Sequence, residues 1–309
     1  MKQFVENRIK FLLLPLVIIA VGVVMYFVHG GFNFDIEFMG GIRMEVDMGK
    51  DISNDEISDA VSGVLSENGI EGKVTVQKSG ESGNHVVIKT PPVEEEMKTT
   101  IFNELKEKYS LSDEAMLSVS SASASFGLEV QQKALLYTLL AILCILVYIA
   151  IRFEWRSAVM AVMALALNVL VMAAVYTITN IPLNTTFIAA MLTVVGYSIN
   201  NTIVIFDRIR ENMKFRKKNV TVTDLVNRSI LETMGRTINS TITTLITIVL
   251  IYILGVSSIK EFALPLIIGI AIGAYTSIFI ASTFWAVWRE SAIKAKAQAA
   301  LERKNSKKK

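Results

Sequence analysis

The sequence predicts an α-helical polytopic membrane protein with six transmembrane helices and an external α+β domain of ferredoxin-like order. Of its 309 residues, 52% are hydrophobic and only 19% are charged. The charges are segregated, because five long apolar runs contain none and together provide room for six spans of about 20 residues each. A long acidic stretch follows the first run. The apolar runs cover residues 11–34, 134–151, 157–206, 237–259 and 262–288.

The positions of the basic residues predict the orientation. Short loops rich in Lys and Arg stay in the cytoplasm. Basic residues precede the first span, separate spans two and three and spans four and five, and follow the last span, whereas the opposite loops, 179–184 and 255–261, contain only Lys260. Both termini are therefore expected in the cytoplasm. No small-x-small cleavage site follows the first run, which favours a retained anchor over a signal peptide.

This orientation divides the chain into four predicted parts. A cytoplasmic N-terminus with the first transmembrane helix is expected over residues 1–30, and an external α+β domain over 31–132. A five-helix transmembrane bundle is expected over 133–288, with a cytoplasmic loop at 207–236 that contains a surface helix capped by Thr223 and Asp224. A basic cytoplasmic tail is expected over 289–309.

The external stretch is acidic and has the pattern of a small α+β domain. Residues 30–132 contain 19 acidic and 8 basic residues, a net charge of −11 that indicates a solvated surface. Ser53 and Glu56 form a capping box that opens one helix, and Pro91 and Pro92 precede a second. With strands predicted at 42–46, 73–77, 85–89 and 115–120 and a hairpin turn at 79–83, the order is βαββαβ, that of a split ferredoxin-like unit. Residues 118–125, rich in Ser and Ala, fit either a hinge or an ordinary connector.

The sequence offers no signature of an enzyme, a metal site or a cofactor site. The two histidines, His29 and His85, are far apart, and no phosphate-binding glycine loop occurs. The single cysteine, Cys144, lies inside an apolar run, which excludes a disulfide framework. An ATPase or a zinc protease is therefore not expected.

Polar side chains interrupt two of the apolar runs. One group surrounds Asn201, and a second begins at Arg236. Polar groups in hydrocarbon are costly unless they face a bundle interior or water. Hydrogen bonding between helices is the alternative to a functional site. The two groups consist of Tyr197, Ser198, Asn200, Asn201 and Thr202, and of Arg236, Thr237, Asn239, Ser240, Thr241, Thr243 and Thr244.

Two motifs carry a resemblance to a known family. The first is FDIEFMGG at 34–41, and the second is GYSIN at 196–200 followed by FDRIREN at 206–212. They resemble the SecF group of the SecD/SecF family, within the resistance-nodulation-division superfamily, and the likeness extends over essentially the whole chain. The motif residues are Phe34, Glu37, Phe38, Gly40, Gly41, Gly196, Tyr197, Ser198, Asn200, Asp207 and Arg208.

The resemblance implies a role in protein export across the bacterial inner membrane. It implies a complex with SecD that assists late-stage preprotein translocation through the SecYEG channel, driven by the ion-motive force. Unfolded preproteins would be the substrates, and YajC would be a further partner. Two rival hypotheses are a stand-alone exporter of lipids or drugs, which would usually contain two six-span halves, and an uncoupled scaffold that stabilises partner subunits.

One position departs from the family pattern. Most of the family has a proton-carrying aspartate where this chain has Asn201, while the family's intramembrane arginine and a nearby hydroxyl correspond to Arg236 and Ser240. An amide does not titrate. Three explanations remain open: SecD supplies the acid, another ion binds neutral oxygen ligands, or this subunit is uncoupled. Asp207 is the nearest acid, and we expect it to form a structural ion pair with Arg208 or Arg210.

Two further features have structural interpretations. Gly269, Gly273, Ser277 and Ala281 form a small-xxx-small stripe that permits close helix packing. The tail 289–309 has 8 basic and 2 acidic residues, which predicts binding to anionic lipids at about 1 kcal/mol per basic residue. No nucleic-acid partner is expected.

Overall fold

The structure is a computed structural model that describes residues 3–72, 74–79, 84–152, 154–216 and 220–306. It divides into two compact units. The membrane unit comprises Met1–Phe32, Tyr137–Ile181 and Thr186–Lys309, and the sheet unit comprises Asn33–Leu136 and Pro182–Thr185.

The described residues form ten α-helices and four strands. The helices are α1 (Arg8–Val28), α2 (Ile36–Met39), α3 (Asn54–Glu67), α4 (Glu95–Tyr109), α5 (Ala124–Arg152), α6 (Trp155–Thr179), α7 (Thr185–Lys214), α8 (Val222–Leu254), α9 (Ser257–Thr276) and α10 (Ser282–Ser306). The strands are β1 (Gly41–Asp47), β2 (Thr75–Ser79), β3 (His85–Thr90) and β4 (Met116–Ala122).

Five helical stretches of the described chain are long and apolar enough to cross a membrane. They are α1, α6, α7, α8 and the run Ile259–Ala299. A shorter apolar segment, Leu136–Ile151, lies within α5 at the position of the second predicted span. The structure therefore supports a polytopic membrane protein with five long candidate spans, and the sixth remains a prediction.

The last span contains a widened turn. A π-helical segment, Ser277–Ala281, joins α9 to α10, and such i→i+5 turns occur often at functional sites. A Cβ atom on Gly269 would lie 2.4 Å from Cγ2 of Val194, and one on Gly273 would lie 3.1 Å from Cβ of Ser198. Both glycines therefore let α9 approach α7 closely, which confirms the packing role predicted for this stripe.

The predicted cytoplasmic loop is mostly helical, which corrects the expectation for 207–236. The helix α7 continues to Lys214, and α8 runs without a break from Val222 into the fifth span. The cap is Thr221, whose hydroxyl accepts from the amide of Asp224 at 3.0 Å, rather than Thr223 and Asp224. The prediction of a separate surface helix was wrong because nothing between Val222 and the fifth span ends the helix. No proline occurs there, and a helix tolerates the single glycine. Lys217 and Lys218, two of the basic residues that separate spans four and five, lie outside the described residues.

The sheet unit is a four-stranded antiparallel sheet with two longer helices. Its strand order is β2-β3-β1-β4, and every neighbouring pair is antiparallel. The alternation of β1 buries Ile42, Met44 and Val46 in a core shared with Ile57 of α3 and Ile101 of α4. The predicted order of strands and helices is therefore observed, and β2 and β3 pair as expected of a hairpin. Lys73 and turn residues 80–83 lie outside the described part.

Two local predictions for this unit were wrong. Ser53 occupies the N-cap of α3, but its side chain makes no capping hydrogen bond. Most of the expected connector 118–125 is regular structure, because β4 extends to Ala122 and α5 begins at Ala124. Ladder hydrogen bonds to β1, with Ser121 opposite Ile42 and Ser120 opposite Arg43, outweigh the low strand propensity of these serines.

Gly41→Ala is expected to destabilise the sheet unit by about 1–3 kcal/mol, the usual cost of overpacking. Gly41 has φ of +130°, and a Cβ atom there would lie 2.1 Å from the carbonyl oxygen of Thr90. Hydrogen exchange of β1 amides in the detergent-solubilised chain measures the change. Gly63→Ala is the control, since an added Cβ meets nothing within 4 Å. Equal exchange in both variants would contradict the account.

Candidate functional site

The polar residues of α7 point in two directions. Ser198, Asn201 and Thr202 are buried, whereas Gly196 and Asn200 are exposed. The helical repeat of 3.6 residues places the first three on one face and the other two on another. The polar segment around Asn201 therefore faces two environments, one inside the membrane unit and one outside it.

A buried hydrogen-bond network occupies the inner face. The Asn168 amide of α6 donates to Oγ of Ser198 at 2.8 Å and accepts from Oγ1 of Thr276 at 2.5 Å. Oγ1 of Thr202 lies 2.8 Å from Oγ of Ser277, which also donates to the carbonyl oxygen of Ser198 at 3.2 Å. These bonds connect α6 and α7 to the start of the π-helical segment.

Sequence reasoning missed Asn168 and Thr276, and it assigned Ser277 only to the packing stripe. Asn168, Thr276 and Ser277 are each completely buried. Asn168 is the only amide between residues 157 and 179, which is a signal that could have been found. The two hydroxyls gave no such signal, since Ser and Thr are common in transmembrane helices as bonding groups between helices.

Side-chain contacts set the register between α7 and α8. The Tyr197 hydroxyl donates to the carbonyl oxygen of Ser240 at 3.1 Å. Nearer the C-terminal end of α7, Nε of Arg208 donates to the carboxylate of Glu232 at 2.6 Å. The two helices therefore run antiparallel, and Asn201 lies at the depth of the turn that begins at Arg236.

Three buried polar atoms at this depth have no partner in the described part of the chain. They are Nδ2 of Asn201 and the hydroxyl oxygens of Thr237 and Thr241. An unsatisfied buried polar group costs roughly 1–3 kcal/mol. Such a group in a native protein indicates a bound water, an ion or a functional constraint.

The predicted relay residues do not meet within this chain. Asn201 is 3% exposed, whereas Arg236 and Ser240 lie on the exposed side of α8. The Ser240 hydroxyl donates to the carbonyl oxygen of Thr237 in its own helix. Among the described residues, Arg236 makes no hydrogen bond or ion pair. We call the exposed residues Asn200, Arg236 and Ser240 the outer polar surface.

The ion pair expected for Asp207 is not formed. Arg208 binds Glu211 at 2.7 Å and Glu232 at 2.6 Å, and Asp207 is exposed with no ion pair to a described residue. The partner of Arg208 comes from α8, 24 positions away in the chain, and sequence proximity therefore pointed to the wrong acid.

The motif at 34–41 builds a clamp inside the sheet unit. The Asp35 carboxylate is 2% exposed, accepts from the Ile36 amide at 2.8 Å and lies 2.9 Å from Nζ of Lys89. Glu37 accepts from the amide of Thr185 at 2.7 Å and from its hydroxyl. The rings of Phe34 and Phe38 are 5.9 Å apart, and Gly40 and Gly41 both adopt positive φ. The motif pattern did not single out Asp35, the most deeply buried polar residue of this motif.

Comparison with known proteins decides the family. Residues 101–291 match the family described as "Protein export membrane protein SecD/SecF, C-terminal". The chain belongs to the SecD/SecF family. The matched part includes the buried network and the outer polar surface, and the clamp at 34–41 precedes it.

Members of the SecD/SecF family resemble this chain over most of its length. Protein translocase subunit SecF of Alicyclobacillus acidocaldarius is 34% identical over 288 residues, which cover 92% of each chain. Protein translocase subunit SecDF of Thermus thermophilus is 34% identical over 89% of this chain but only 37% of its own length. A crystal structure of Thermus thermophilus SecDF, a translocon-associated membrane protein, superposes with a TM-score of 0.80 at 29% identity, covering 93% of this chain and 38% of that one.

Proposed function

We propose that the chain is the SecF-type subunit of a SecD–SecF complex that assists late-stage preprotein translocation through SecYEG, driven by the ion-motive force. It performs no covalent chemistry and acts by changing conformation. We place it in the bacterial inner membrane as a six-span protein, with both termini in the cytoplasm and a ferredoxin-like external domain that binds unfolded preprotein. YajC is a further proposed partner.

The outer polar surface carries this proposal. A charged side chain on a transmembrane helix is costly when uncovered, up to roughly 2.5–3.5 kcal/mol at the bilayer centre and less toward the ends of the span, where Arg236 precedes the apolar run 237–259. In the most apolar 18-residue stretch of α8, only 11% of the residues are buried within the described chain. Arg236 and Ser240 lie on the exposed side of this helix. A partner helix removes this cost by covering the surface. The SecDF relatives are more than twice as long as this chain, and we infer that the SecD part supplies that helix.

Because Asn201 does not titrate, we propose that SecD supplies the coupling acid. Moving one charge across 100 mV provides roughly 2.3 kcal/mol, but only if some group binds and releases the ion. Arg236 faces outward without a partner in the described residues and is therefore available to pair with an acid on SecD. Asn201 also supports a second candidate function, that of an uncoupled scaffold.

Complementation distinguishes these two functions. In cells depleted of the chain, we expect the wild type to restore processing of secreted precursors in a pulse-chase assay. We expect Arg236→Ala to slow it about fivefold or more, the scale of a typical coupling free energy. Arg228→Ala is the matched control, since its side chain is 72% exposed on the same helix, outside the central turns.

Each outcome has a defined meaning. If Arg236→Ala restores processing as well as Arg228→Ala, the chain is a scaffold. If depletion leaves processing unchanged, the translocase function is wrong. Asn201→Asp, which introduces the acid that most of the family has, is expected to retain export under the coupled account.

A further inference from the structure

A pocket of about 380 Å³ lies at the predicted cytoplasmic end of the membrane unit, between the last turns of α7 and the first turns of α10. Phe206 and Ile209 form an apolar wall, and Arg210, Lys214 and Arg289 bring positive charge. Its one carboxylate, Glu154, accepts at 2.7 Å from both Arg156 and Arg289. The pocket is therefore cationic on balance.

Two buried donors in this pocket lack an acceptor within the described chain. Trp285 is 4% exposed, and its indole Nε1 has no hydrogen-bond partner. Nε of Arg289 is also buried without a partner, although another nitrogen of the same guanidinium binds Glu154. Leaving such donors unpaired is costly, so their arrangement indicates an acceptor from another molecule.

The cationic side chains at the mouth are free to bind that molecule. Arg210 and Lys214 make no ion pair and no hydrogen bond with any described residue. Two free cations beside two unpaired N–H donors fit an anion with several oxygen atoms, for which phosphate is the common biological example.

Neighbouring aromatic residues place the pocket at the level of lipid headgroups. The rings of Trp155 and Trp288 pack edge to face with centroids 4.9 Å apart, and the Arg156 guanidinium lies over both. Trp155 is 53% exposed. Exposed tryptophans at the ends of membrane helices mark the boundary between hydrocarbon and headgroups.

We propose that this pocket binds an anionic membrane phospholipid. The phosphodiester accepts from Nε1 of Trp285 and Nε of Arg289, Arg210 and Lys214 neutralise its charge, and an acyl chain lies against Phe206 and Ile209. The site shares only Arg289 with the basic tail and is otherwise built mainly by α7 and by Trp285 of α10. It goes beyond the export function because it holds whether or not the chain is coupled.

Native mass spectrometry of the full chain in detergent tests the site, with phosphatidylglycerol as the probe and phosphatidylcholine as the zwitterionic comparison. We expect one phosphatidylglycerol to be retained selectively. Arg210→Gln/Lys214→Gln is expected to weaken its binding by about 30-fold, from the contribution of two basic residues near an anionic lipid. Lys50→Gln/Lys108→Gln removes the same charge from exposed positions of the sheet unit and is expected to leave retention unchanged.

Trp285→Phe separates hydrogen bonding from charge, because it keeps an aromatic ring and removes only the N–H donor. We expect it to weaken retention while the helical circular dichroism of the chain stays the same. Equal retention of phosphatidylcholine, equal weakening by the two double variants, or displacement of the lipid by excess inorganic phosphate would each overturn the proposal.

Discussion

Asp35→Ala is expected to lower the free energy of unfolding of the sheet unit by about 3–5 kcal/mol, the cost of breaking a buried ion pair by removing one partner. The Asp35 carboxylate lies 2.9 Å from Nζ of Lys89, whose side chain is only 8% exposed. It also accepts from the Ile36 amide at the start of α2. The alanine variant leaves a buried ammonium group without its carboxylate and α2 without its cap.

Hydrogen exchange of β1 and β3 amides in the solubilised full chain measures this effect. Asp47→Ala is the matched control, because that carboxylate is 41% exposed and lies 3.6 Å from the His85 ring. An exposed pair of this kind contributes about 0–1 kcal/mol. If both variants exchange alike, Asp35 does not hold the clamp together.

Asn168→Leu is expected to destabilise the membrane unit by about 1–3 kcal/mol, since two buried hydroxyls each lose a partner. Those hydroxyls belong to Ser198 and Thr276, which bond opposite ends of the same amide. Ser198 loses its side-chain donor, and Thr276 keeps only a bond of 3.2 Å to the Gly273 carbonyl oxygen. Unfolding by SDS in mixed micelles, followed by circular dichroism, gives the change.

A triple variant tests the cause of that loss. Asn168→Leu/Ser198→Ala/Thr276→Val removes all three polar partners together. Replacing every partner of a hydrogen bond by apolar groups can leave stability nearly unchanged, whereas removing one partner lowers it. The triple variant should therefore recover most of the stability. A triple variant less stable than Asn168→Leu would show that volume, rather than hydrogen bonding, sets the effect.

The sequence predicted what depends on local patterns. The strand predicted at 42–46 is found as β1, and the helix predicted to open at Ser53 is found as α3. The spacing of Gly269 and Gly273 predicted close helix packing because small residues four apart share one face. In each case the information lies within two turns or one strand.

The sequence could not predict contacts between residues far apart in the chain. Asn168 bonds Thr276 across 108 positions, and the partner of Asp35 is on another strand. The polar patch around Asn201 was visible, but its division into a buried network and an outer polar surface depends on which helices cover each face. The resemblance groups Arg236 with Asn201 in one relay, whereas Arg236 lies on the exposed side of α8.

The central claim is that a SecD subunit covers the outer polar surface, and site-specific photo-crosslinking in cells tests it most directly. A photoreactive amino acid replaces Ser240, and replacement of Leu139, which is 57% exposed on α5, provides the comparison. The account predicts a crosslinked product with SecD from position 240 that is much stronger than any from position 139. Equal yields from both positions, or lipid adducts alone from position 240, would contradict it.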